Sequence, residues 1–109
     1  MSQVDVVVPC YEYGHFLREC VESVLTQEAV QARVLVIDDA SSDCTAEVAA
    51  QMAARDERVL FRRHAVNQGH IATYNEGLAW AGGEYMLLLD ADDVLTPGAL
   101  LRATRLMDA

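Results

Sequence analysis

The pattern that most constrains this chain is an end-to-end alternation of short apolar runs with stretches of helical period. Val4-Asp5-Val6-Val7-Val8 is a β-branched run stopped by Pro9, and Arg33-Val34-Leu35-Val36-Ile37 is a second, ending at Asp38-Asp39. Val59-Leu60-Phe61 and Glu84 to Leu89 read as the third and fourth strands. Between the first two, Phe16, Leu17, Cys20, Val21, Val24 and Leu25 keep helical spacing, which predicts an amphipathic helix over about 15–27. Ser41, Ser42 and Asp43 offer N-caps to a helix reaching about Arg55, with Val48, Ala49 and Met52 inward. Ile71, Tyr74, Leu78 and Ala81 mark a third helix, stopped by Gly82-Gly83. Thr96-Pro97 reads as an N-cap followed by proline at the first position of a last helix, to about Met107. Strands this uniformly apolar are covered on both faces, which is the signature of a parallel sheet between helix layers. The expected fold is α/β: a Rossmann-like three-layer sandwich, (βα)4, with right-handed crossovers.

The 109 residues suit one core, and no linker or internal repeat divides them. Acidic residues number 17 and basic residues 8, for a net charge of −9, and every basic residue is Arg. A chain without Lys has no P-loop lysine and no amine for Schiff-base or pyridoxal chemistry. A strongly acidic chain with no basic stripe repels a nucleic-acid backbone. Cys10, Cys20 and Cys44 form no C-x-x-C pair and read as reduced, space-filling thiols. Asp5 and Pro9 interrupt any N-terminal leader pattern, and no run approaches the roughly 18 apolar residues of a membrane span. These features point to the cytoplasm.

In an open parallel sheet, ligands bind beyond the carboxyl ends of the strands. Four groups fall there: Pro9-Cys10-Tyr11; Asp38-Asp39; Arg63-His64 with Asn67-Gln68-Gly69; and Asp90-Ala91-Asp92-Asp93. The first turn, Pro9 to Gly14, is not G-x-G-x-x-G, so it supplies no glycine-rich phosphate cradle. A phosphate ligand is then left with the carboxylates, and Asp90-x-Asp92 is spaced to hold one hard divalent cation, Mg2+ or Mn2+, that carries a diphosphate. Each feature also has a plain reading. An acidic pair after a strand also serves as a helix cap or a solvated turn, and Asp93 is a turn residue. Tyr11 and Tyr13 are packing rings with wet hydroxyls. His15 opens the first helix, while His64 and His70 are solvated in a polar loop. Asn75 sits on or beside the apolar face of the third helix, where it braces the adjacent loop.

Taken in order, Val7-Val8-Pro9-Cys10-Tyr11, Glu22-Ser23-Val24-Leu25-Thr26-Gln27, Val36-Ile37-Asp38-Asp39-Ala40-Ser41-Ser42-Asp43, Asn67-Gln68-Gly69, Asn75-Glu76-Gly77-Leu78, Gly83-Glu84-Tyr85 and Leu89-Asp90-Ala91-Asp92-Asp93 resemble family 2 glycosyltransferases of the GT-A fold. The resemblance runs over essentially the whole chain. It implies a nucleotide-sugar site, with UDP-sugars favoured. By similarity, Pro9, Tyr11, Asp39, Asn67 and Asp90 serve the nucleotide: Tyr11 stacks on the base beside the Pro9 backbone, Asp39 accepts a base N–H, and Asp90 serves the ribose or the metal's waters. Asp92, with Asp90, holds the Mg2+ or Mn2+. Asp38 is the turn-forming partner of Asp39, and Tyr74 stands where the family often has Arg. The implied chemistry is an inverting transfer of the sugar to an acceptor hydroxyl, in polysaccharide or cell-wall synthesis.

The family's general base follows the D-x-D segment in the second half of the domain. No residue here matches it, so the resemblance puts it beyond Ala109. Residues 1–109 therefore read as the front, donor-binding half of a GT-A domain, without catalytic base or acceptor site, binding nucleotide weakly and transferring nothing alone. Strand 84–89 would then be a bare edge that self-associates or leaves the last helix disordered. A phosphoacceptor receiver module competes, since Val34 to Asp39 and Leu87 to Asp90 resemble its acidic strand ends and receivers bind Mg2+. Its phosphoryl-sensing Lys is missing, and its acidic pair belongs after the first strand. A sugar nucleotidyltransferase would want a glycine-rich basic first loop.

Overall fold

A computed structural model describes residues 1–108. Ala109 lies outside the described residues. The chain alternates β1 (Ser2–Cys10), α1 (Gly14–Leu25), β2 (Val30–Asp38), α2 (Thr45–Arg55), β3 (Val59–Arg63), α3 (His70–Trp80), β4 (Tyr85–Leu88) and α4 (Ala99–Asp108). The strands form one parallel sheet in the order β3-β2-β1-β4. The chain builds outward from β1 to β3 and then crosses back to place β4 on the other side of β1. That reversal leaves a crevice at the carboxyl ends of β1 and β4.

Alternation along β1 divides the interior. Val4, Val6, Val8 and Cys10 face α1, α2 and α4 in the larger core, with Leu17, Cys20, Val21, Val24, Ala49, Met52 and Leu100. Val7, with Leu35 and Ile37, faces the other way, against Trp80 of α3 and Met86. The layers are therefore three helices, sheet, one helix. Strand β1 runs through Pro9 rather than stopping before it. The last β1–β4 pair is Val7↔Leu88, so the N–H that Pro9 lacks would have faced a strand that has already ended.

The helix faces hold some surprises. Phe16 is half exposed, turned onto the edge of Tyr13, while Leu17, Cys20, Val21 and Val24 of the expected face of α1 are buried and Leu25 is partly so. In α3 the assigned face is turned outward: Ile71 is 78% and Leu78 53% exposed, and the buried residues of the helix are Thr73 and Gly77. The cause is close approach. A Cβ on Gly77 would stand 2.4 Å from Cγ1 of Val7, so α3 lies directly on the sheet through its smallest residue. Asn75 is consequently exposed, not buried against the loop.

The helix starts also differ from the sequence reading. Ser41, Ser42 and Asp43 are not the N-cap of α2. Instead Asp43 accepts the N–H of Thr45 with one oxygen and that of Gly14 with the other, joining the starts of α1 and α2. Helix α4 begins at Ala99, after a turn in which Gly98 has φ of 79°. Gln27 holds that turn, donating to the carbonyl of Thr96 and accepting the N–H of Leu100. The last helix is thus formed and anchored, not loose, and it adds Leu100 and Thr104 to the buried set.

Candidate functional site

The crevice holds a cavity of about 320 Å3 lined by Pro9, Cys10, Tyr11 and Tyr13 after β1, Asp39 after β2, His70, Thr73 and Tyr74 of α3, and Asp90, Ala91 and Asp92 after β4. Five of the six residues singled out from sequence therefore share one cavity: Pro9, Tyr11, Asp39, Asp90 and Asp92. The sixth, Asn67, lies outside its lining and donates to the backbone carbonyl of Asp39, so its contact is with the wall and not with the cavity.

Each wall has a local cause. Turn β1–α1 is clamped to turn β2–α2: Glu12, at φ 62°, donates its N–H to Ser41 Oγ and accepts the N–H of Ser42 with its carboxylate. That clamp carries Tyr11, which stands nearly half exposed with its ring available. Asp38, fully buried, accepts the N–H of Ser41 and shapes the turn, as its assignment as a turn-forming residue requires. Its second oxygen lies 3.3 Å from Arg63 Nε, close enough for attraction but not aligned for a hydrogen bond.

Asp39 is almost fully buried and does two jobs. Its Oδ1 accepts the N–H of Gln68 and faces Nδ1 of His64 at 2.8 Å, while Oδ2 accepts the N–H of Gly69. Burial pushes the carboxyl up, but the N–H groups of Gln68 and Gly69 and the His64 ring outweigh it and hold it below the usual range. One acceptor position on Oδ2 remains for a donor in the cavity.

After β4 the backbone makes a tight turn in which Asp93 N–H bonds the Asp90 carbonyl, with Ala91 buried beneath. Asp90, Asp92 and Asp93 are exposed, and each offers an oxygen within 4.8 Å of the others. Asp93 is thus the turn residue read from sequence and also a member of this acidic set. An all-oxygen set on one exposed turn matches a hard divalent cation.

Thr73, His70 and His64 have no site role in the sequence reading, while Tyr74 stands at a position the family resemblance names. Thr73 and Tyr74 reach the cavity because α3 is rotated from its assigned face, and His70 joins them, its ring 6.1 Å from that of Tyr74. His64 is buried, not solvated, and its Nε2 meets Glu76 of α3 at 2.6 Å. The signal for it was position: it follows β3 directly and so lands on the same sheet edge as Asp39. Cys10 and Cys20 are buried, and Cys44 is partly so. Burial pushes Cys10 up to about 11 and Cys20 up to about 12, so neither is a thiolate at neutral pH.

In a three-layer α/β domain, a cavity at the switch of the parallel sheet is where a ligand binds. The model of the glycosyl transferase family 2 matches residues 5–109, and the chain belongs to that family. This match also removes the receiver-like alternative. Glycosyltransferase GlyG of Streptococcus pneumoniae is 34% identical over 92 residues, covering 84% of this chain and 31% of its own length. TarS of Staphylococcus aureus, residues 1–349 solved with UDP-GlcNAc, superposes with a TM-score of 0.86 at 26% identity, over 97% of this chain and 31% of that one. The mannosyltransferase PcManGT of Pyrobaculum calidifontis, solved with GDP-Man and Mn2+, shares the fold at a TM-score of 0.81 and 24% identity, over 92% and 30%. The chain spans about a third of the length of GlyG. Among the described residues no helix is long and apolar enough to cross a membrane.

Proposed function

We propose that these residues are the donor-binding portion of an inverting glycosyltransferase that takes a nucleoside-diphosphate sugar, a UDP-sugar by preference. The observation that carries this reading is the convergence of Pro9, Tyr11, Asp39, Asp90 and Asp92 on one cavity at the switch of the sheet. Tyr11 offers its ring to a base, and Asp39 offers one free acceptor position to a base N–H. Asp90 is assigned to the ribose or the metal's waters. Asn67 acts from behind, through the Asp39 backbone. Asp92, with Asp90 and Asp93, would hold Mg2+ or Mn2+, which when bound supplies positive charge to a diphosphate that no Lys is present to meet. The similarity to TarS solved with UDP-GlcNAc supports the choice of nucleotide.

The chemistry assigned to the whole enzyme is attack of an acceptor hydroxyl on the anomeric carbon with inversion. The general base and the acceptor site are assigned to the portion of such enzymes that these residues do not span, beyond the position of Ala109. The 109-residue chain alone then binds donor and transfers nothing. The free cysteines fit a cytoplasmic setting. Calorimetry tests the site. UDP should bind more tightly with Mn2+ than without it, and more tightly than GDP; Asp92→Asn should abolish the metal dependence while leaving the fold intact by circular dichroism. Metal-independent binding equal in the wild type and the variant would contradict the metal assignment. Sugar transfer by the isolated chain, in an assay with a panel of activated sugars, would contradict the division of labour.

A further inference from the structure

His64 is held between two carboxylates. Nδ1 lies 2.8 Å from Asp39 Oδ1, and Nε2 lies 2.6 Å from Glu76 Oε1. The ring is 7% exposed, so water does not mediate either contact. A neutral imidazole carries one N–H, which would leave a nitrogen lone pair facing a carboxylate oxygen at one of the two contacts. With both carboxylates ionised, both contacts are attractive together only when the ring is the imidazolium. The neighbouring charges agree. Arg62 of β3 lies 3.4 Å from the other oxygen of Glu76, so Asp39, Glu76, His64 and Arg62 balance when His64 is charged. The nearby Arg63–Asp38 pair balances itself, and His64 N–H is bonded to the Asp38 carbonyl.

This contact joins two walls of the cavity. Asp39 anchors Gln68 and Gly69 at the start of α3. Glu76 lies on the helix that presents His70, Thr73 and Tyr74. We infer that His64 is a positioning residue for the donor site: as an imidazolium it ties α3 to Asp39, and when it loses its proton one tie opens and the cavity walls separate. Glu76 is the partner that lets go, because it is the more exposed carboxylate and can be solvated in place. Asp39 keeps its bond through an Nδ1–H tautomer. Nucleotide affinity should then fall as pH rises through the His64 titration. The inference rests on the proposed nucleotide site for its functional consequence and on geometry alone for the tie.

The test is a pH titration of the full chain with 15N-labelled histidine, followed by nucleotide binding. Both ring nitrogens of His64 should be protonated at pH 7, with a midpoint above the ordinary 6.5. The amides of Gln68, Gly69, Thr73 and Tyr74 should shift with the same midpoint. Glu76→Gln removes one charge from a partly buried position of α3 and should lower that midpoint; His64→Gln should abolish the transition. A single-tautomer neutral ring at pH 7, or α3 amides that ignore the titration, would overturn the tie. In the wild type, affinity for UDP should fall about fivefold or more between pH 6 and pH 9, a typical size for coupled sites, and should be flat in His64→Gln. UDP affinity that is independent of pH while the ring titrates as described would overturn the positioning role. No UDP binding at any pH, with the amide transition present, would sustain the tie and overturn the nucleotide reading instead.

Discussion

Asp5 is a charge in the middle of a central strand, with no exposed surface. It survives there because every oxygen has a partner. Arg33 donates to both of them, and Gly82 and Gly83 give their N–H groups to Oδ2. Arg33 lies in turn over the ring of Trp80, 4.6 Å from its centroid. Burial pushes the Asp5 carboxyl up, but the Arg33 guanidinium and the two glycine N–H groups bring it below its ordinary 3.8. The folded protein therefore holds fewer protons at this group than the unfolded chain. Its contribution is present above the unfolded value and is lost as pH falls through the folded one. Asp5→Ala leaves Arg33 and the part-buried N–H groups of Gly82 and Gly83 without their acceptor and should cost about 2 to 3 kcal/mol in urea unfolding at pH 7. The difference from the wild type should shrink below about pH 4, where the unfolded-state carboxyl titrates; a constant difference down to about pH 2 would contradict this role. In sequence Asp5 was legible only as an interruption. Partners 28, 77 and 78 positions away cannot be read from local pattern. The same holds for His64: a polar residue in a polar loop has no local mark of burial, and only the tertiary placement of Asp39 and Glu76 around it creates its site. Asp39, Asp90 and Asp92 were legible because each stands at the end of an apolar strand, and in a parallel sheet strand ends meet.

At the scale of elements, all eight segments followed from hydrophobic period and strand composition, whereas helix faces and starts followed less well. The outward turn of α3 shows why. Its apolar residues mark a face by period, but a glycine and a threonine set the depth at which a helix can sit on a sheet, and here depth decides. Gly77→Ala should therefore destabilise the fold by roughly 1 to 3 kcal/mol despite the gain in helix propensity. Gly82→Ala has open space around its Cβ and should be close to neutral, which makes it the control. Combining Gly77→Ala with Val7→Ala should recover part of the loss, because the clashing methyls are those of Val7. Strict additivity of the two in urea unfolding would contradict the close-approach account. Helix α4 was misplaced by two residues because Pro97 looks like a first helical residue, while Gly98 turns the chain and Gln27, far away in sequence, supplies the partner for Leu100.

At the scale of the molecule, three helices cover one face of the sheet and only α3 covers the other. One helix cannot span four strands, and Leu60 and Leu88, which flank it on the outer strands, are each about 40% exposed. Strand β4 pairs with β1 on one side, and among the described residues its other edge has no strand. Free edges beside apolar surface pair with other chains. We expect light scattering to show concentration-dependent association of the 109-residue chain, suppressed by Leu88→Lys; a clean monomer at high concentration would contradict it. The opposite end of the sheet carries the central claim, that the cavity between the β1 and β4 strand ends receives a nucleoside diphosphate. Amide-shift mapping of the 15N-labelled chain with UDP and Mg2+ tests this most directly. The account predicts saturable shifts confined to Cys10–Tyr13, Asp39, His70–Tyr74 and Asp90–Asp93. Shifts clustered in the apolar groove between β4 and α4, or none at all, would contradict it.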